Sequence, residues 1–173
     1  MKRQFIILGI LFLFLCCTKK EKIDTFPFDE FVFAGEALHS VFCIKFTKSD
    51  TVYYQRIFPE PIENSYAVIN LEEKAELNKL LRETNFEKFD TVYANNVIED
   101  EQTYLINVSN LGKRKSIYLY AREAPKKLDR FIKSLGEIKG KLHFMPTNKK
   151  VDFGDLKSIL PPPLPPMPVK KVN

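Results

Sequence analysis

Cysteine all but vanishes after the amino end. Of three in the chain, Cys16 and Cys17 are adjacent and only Cys43 lies further along. One leftover thiol cannot close an internal disulfide, so packing alone must hold the fold. Cys43 reads as a buried strand thiol. Histidine is scarce too: His39 and His143 lie far apart, with no clustered ligand spacing, so no metal site is expected. No apolar run reaches the roughly 20 residues that a spanning helix needs. No G-x-S-x-G, phosphate loop or dinucleotide fingerprint occurs, and no Ser, His and Asp order is legible. No catalytic residue and no cofactor is therefore expected. The formal net charge is +5, and Lys2 and Arg3 supply two of those charges. The rest is dispersed, which excludes the basic stripe that nucleic-acid binding requires.

What is present begins with an address. Met1-Lys2-Arg3 is a basic start, and Phe5 to Leu15 is apolar with Gly9 as its only break. A basic end followed by a short apolar run is the pattern of a secretory signal. The stretch FLFLCC resembles a bacterial lipoprotein signal, in which an apolar run ends in a small residue and then the cysteine to be acylated. Cys17, preceded by the small Cys16, is the expected acceptor; Cys16, preceded by the bulky Leu15, is the alternative. Residues 1–16 are then the signal and residues 17–30 a tether. The resemblance implies a diacylglycerol and an amide-linked acyl chain, and several chains hold a membrane where one does so only marginally.

The remaining length suits one domain, and fifteen Phe and seven Tyr supply large apolar surfaces for its core. Alternating and β-branched patterns predict strands over 38–47, 51–58, 65–69, 103–109 and 115–120, with 142–145 as a last short strand. Asn70 with Glu73 three residues on predicts a capping box and a helix whose stripe is Leu77, Leu80, Leu81 and Thr84. Phe86 and Phe89 are expected under its end. Ala124-Pro125 opens a second helix, with Pro125 at its first position and Leu128, Phe131, Ile132, Leu135 and Ile138 buried. It is expected to stop at Gly136 or Gly140. The strand-strand-helix order thus occurs twice, which predicts an α+β domain over residues 31–147: a mainly antiparallel sheet with both helices on one face. An exposed patch of Tyr53, Tyr118 or Tyr120 on the other face would mark an interface.

Two segments offer weak chemistry. Residues 90–102 are polar, and Asp90, Glu99 and Asp100 are the acidic candidates of that loop; a solvated connection is the expected role. Residues 148–173 read as a Pro-rich tail outside the domain, extended or disordered. Its prolines, Pro161, Pro162, Pro163, Pro165, Pro166 and Pro168, suit an aromatic groove on a partner or a plain spacer.

Over residues 38–138 the chain resembles small envelope lipoproteins of Gram-negative bacteria that carry a domain of unknown function. The resemblance rests on a strand hairpin, then EEKAELNKLLRETNFEKF, Tyr93 and Asp100, then a hairpin with GKRKSIYL, then APKKLDRFIKSL. Such domains often carry a Cys-Pro element and an Asp-Gly turn in the first hairpin. Ser40-Val41 and Lys48-Ser49-Asp50 stand there instead, so no thiol-dependent role carries over. The resemblance implies an envelope protein held to the membrane by its lipid. Thr18 after the acceptor, where an Asp would resemble an inner-membrane retention signal, points to the outer membrane, and KKEK, which is not acid-rich, to its periplasmic side. The absent catalytic constellation predicts no enzymatic activity but a role in binding a protein or cell-wall partner. The alternative is an envelope-polymer hydrolase or inhibitor-like factor that uses the loop carboxylates.

Overall fold

The structure, a computed structural model, describes residues 25–37, 39–94, 102–120 and 123–160. It contains an eight-stranded sheet. The strands are β1 (Glu30–Ala37), β2 (Ser40–Thr47), β3 (Thr51–Phe58), β4 (Glu63–Val68), β5 (Val92–Tyr93), β6 (Thr103–Asn110), β7 (Lys113–Tyr120) and β8 (Met145–Pro146). Their order is β5-β7-β6-β1-β2-β3-β4-β8, and every pair is antiparallel except β5 with β7. The fold class is α+β, as expected.

Both helices cover one face. Helix α1 (Leu71–Glu83) starts at the expected capping box. The Asn70 side chain accepts from the Glu73 N–H at 2.9 Å, and Glu73 accepts from the Asn70 N–H at 2.9 Å. Two early donors that would otherwise face water are thereby satisfied. Helix α2 (Lys126–Lys141) buries Leu128, Phe131, Leu135 and Ile138. Pro125 caps it rather than standing first inside it, and the helix runs through both Gly136 and Gly140. The burial stripe on either side of each glycine outweighs the propensity cost of about 1 kcal/mol. Lys141 joins the helices through Glu76 at 2.7 Å. Among the described residues no helix is long and apolar enough to cross a membrane.

Strand β1 was not anticipated, and it lies near the middle of the sheet between β2 and β6. Its Phe31 and Phe33 enter the helix-side core, while Val32 and Ala34 enter a second core on the opposite face. The folded unit also starts earlier than residue 31. Phe26 is buried, and Phe28 stands edge-on to Phe86 at 5.8 Å, so the part of residues 17–30 from Phe26 onward, expected as a tether, belongs to the folded domain.

The segment expected to begin a free tail at residue 148 instead lies across that opposite face. Phe153, Leu156 and Ile159 are buried against Val32, Ala34, Cys43 and Leu105. Lys45 donates to the Asp152 carbonyl at 2.8 Å, and Asn107 donates to the Asp155 carbonyl at 3.2 Å. Tyr53 and Tyr118 are packed beneath this strap instead of forming an open patch. An uncovered face carrying Val32, Ala34, Cys43 and Leu105 would leave an apolar surface in water, and the strap removes it. Residues 161–173, with all six candidate prolines, lie outside the described residues, as do Cys16, Cys17, Glu99 and Asp100.

Candidate functional site

A row of rings crosses the helix side of the sheet near the end where β2 begins. Tyr104 stacks on Phe33 at 5.5 Å, Phe33 meets Phe42 at 6.0 Å, and Phe42 stacks on Tyr54 at 5.9 Å. Phe144 follows at 5.1 Å from Tyr54. These side chains share a face because each strand contributes the residue that points toward the helices at that register. Only Phe33 is buried; the other four are half-buried, so the row runs from the core out to the surface.

Gly35 sets how flat the row lies. The Phe42 ring rests on its backbone, and a Cβ there would stand 2.6 Å from the ring's Cε1. Lys139, in the last turn of α2, lies over the row with its Nζ 3.8 Å from the Phe42 centroid and 5.3 Å from that of Tyr54. Burial holds its pKa below that of an ordinary lysine. It forms no ion pair among the described residues, so the rings carry its charge.

At the outer end of the row a cleft of about 710 Å³ opens between β4 and residues 144–150. Tyr54 and Phe144 line it as apolar surfaces. Ser65, Thr147 and Asn148 bring hydroxyl and amide groups, and Arg56, Glu63 and Lys150 bring charge. Arg56 is fixed in place: it pairs with Glu63 at 2.6 Å and donates to the carbonyls of Pro59 and Pro61. Burial raises the pKa of the Tyr54 hydroxyl, which therefore remains a neutral donor. The volume suits a ring-sized or slightly larger ligand.

Cys43 is fully buried under the strap, and desolvation pushes its thiol up to about 12. It is a packing residue, as its strand position suggested, and the thiol is not ionised near neutral pH. His39 and His143 are exposed and lie outside the row. Among the described residues no three His, Cys, Asp or Glu side chains converge on a metal position. Of the acidic loop, only Asp90 is described. It is exposed, and its backbone N–H donates to the Tyr93 hydroxyl at 2.9 Å. The cleft was not foreseen, because its walls come from three segments separated in sequence. The alternation of Tyr54 with Tyr53 and of Phe42 with Cys43 was the only available signal.

A family model described as a domain of unknown function (DUF6438) matches residues 41–139 of the chain. No curated protein and no solved structure matches it.

Proposed function

The chain belongs to the DUF6438 domain family, and we propose that its domain is a non-enzymatic binding module of the bacterial envelope. In this reading acylated Cys17 tethers it to a membrane, the outer membrane on its periplasmic side, and the cleft beside Tyr54 holds a hydroxylated ring of a wall polymer. The observation that carries the binding role is the composition of that cleft. A half-buried aromatic floor offers a face for the C–H edges of a ring, while hydroxyl, amide and charged groups around it can bond to ring substituents. The tether rests on the apolar run from Phe5 to Leu15 that ends at the cysteine pair.

Two experiments test the two halves. Cells fed a clickable fatty acid should label the wild-type protein and the Cys16→Ala variant but not Cys17→Ala. Label lost from Cys16→Ala alone would move the acceptor to Cys16, and no label on any form would remove the tether. For binding, the purified protein should co-sediment with isolated wall sacculi. Asn148→Ala combined with Lys150→Ala, both exposed, should weaken that about tenfold, the effect of losing roughly 1.4 kcal/mol. A wild-type protein that stays in the supernatant would end the wall-binding reading.

A further inference from the structure

The turn between β6 and β7 is built against its own backbone preference. Asn110 pairs with Lys113 across a two-residue loop, and both central residues have positive φ, 51° at Leu111 and 76° at Gly112. Such a loop favours Asn-Gly, because the Cβ of an ordinary residue is crowded in the left-handed region. Leu111 gains no packing in return, for it is 86% exposed. A strained position that holds a solvent-facing apolar side chain asks for a use outside the fold.

Its surroundings indicate which use. Lys113, Arg114 and Lys115 follow directly, and none forms an ion pair among the described residues. The Leu111 N–H donates to one carboxylate oxygen of Asp29 at 2.7 Å, and Lys48 holds the other at 2.9 Å. The Asp29 N–H in turn donates to the Ser109 carbonyl at 2.9 Å. The apolar tip and its basic neighbours are therefore fastened to the place where the amino-terminal segment comes into the domain. Residues 18–24 can span at most about 25 Å when fully extended.

We propose that this end of the domain docks on a bilayer surface of anionic lipids. Leu111 sinks among the headgroups, and Lys113, Arg114 and Lys115 meet the phosphates. This rests on the tether reading, which places a membrane within reach of Thr25. Basic side chains gain from an anionic surface only within a Debye length, and the tether keeps them there.

The chain contains no tryptophan, so Leu111→Trp gives a sole indole at the contact. The protein is purified from the membranes of expressing cells and added to vesicles of phosphatidylcholine, alone or with an equal part of phosphatidylglycerol. The anchor should carry it down with both. The indole should shift to shorter wavelength and be quenched by brominated lipid only on the anionic vesicles. Adding Lys113→Glu with Arg114→Glu should lower the docked-to-free ratio at least about tenfold. An indole that emits as in solution on anionic vesicles would overturn the docking, as would a shift indifferent to charge reversal. Protein left in the supernatant with neutral vesicles would refute the anchor instead, and the anionic arm would still decide the docking.

Discussion

A methyl group at Gly35 would press on the Phe42 ring at 2.6 and 2.7 Å, with Tyr104 at 3.4 Å on its other side. Phe42 is wedged between Phe33 and Tyr54 and lies beneath Lys139, so its ring can swing aside only by breaking that stack. Gly35→Ala should therefore cost about 1–3 kcal/mol, the usual range for overpacking, as read from the midpoint of urea unfolding. A midpoint equal to the wild type would show that the row is loosely held. The thiol of Cys43 gives a second test at this scale, in which pH is the variable. Desolvation raises it from 9.0 to about 12 in the folded chain. Below pH 9 both states keep the proton and the thiol adds no pH dependence. Above it the unfolded chain ionises first, so the folded state binds more protons and loses stability as pH rises toward 12. The slope is at most about 1.4 kcal/mol per pH unit. The difference in unfolding free energy between wild type and Cys43→Ala should therefore shrink between about pH 9 and 12; a constant difference would contradict the burial.

The strap buries Phe153, Leu156 and Ile159 over a short stretch of chain. Ile159 is fully excluded from solvent within a segment that has no helix or strand of its own. Its fixity comes from short bonds along the chain. The Gly154 N–H donates to the Asp152 carboxylate at 2.8 Å, the Lys157 N–H to that of Asp155 at 3.0 Å, and the Ile159 N–H to the Leu156 carbonyl at 3.0 Å. Ile159→Ala should cost about 2–5 kcal/mol in urea unfolding, the range for a truncated core residue. A loss under 0.5 kcal/mol, on the order of a surface change, would place the strap outside the cooperative unit. The same element shows why part of the fold was not legible. Its apolar residues at 151, 153, 156 and 159 follow neither the strand period nor the helix period, and the prolines behind them drew the whole segment into one compositional reading. Strand β1 was hidden for a different reason. Covered on both faces, FVFAG is a continuous apolar run with no alternation to read. Helix α1, by contrast, announced itself through Asn70 and Glu73, and strands β2 and β6 alternated clearly enough to be placed within a residue or two. The cleft could not be read, since it depends on how β4 and residues 144–150 meet.

At the scale of the molecule, the family match covers less than what folds. It begins at Val41, after β1, and ends at Lys139, before the strap. Yet Phe31 and Phe33 lie in one core, and Val32, Ala34 and Ile159 lie in the other. The packed residues thus run from Phe26 to Ile159, and the sheet gives the domain two distinct ends. Glu30 pairs with Thr47 and Ser109 at the end where the chain comes in, beside the Leu111 turn. Arg56 pairs with Glu63 toward the opposite end, beside the cleft. Eight-residue strands separate the two ends by about 25 Å. A domain docked through Leu111 therefore holds its cleft away from the lipid and toward the polymer that the proposed function requires. An indole placed at position 148 by Asn148→Trp should then escape quenching by brominated lipid in the same anionic vesicles where one at position 111 is quenched. Equal quenching at both positions would mean that the domain lies on its side, with the cleft against the headgroups, and a wall ligand could not reach it there.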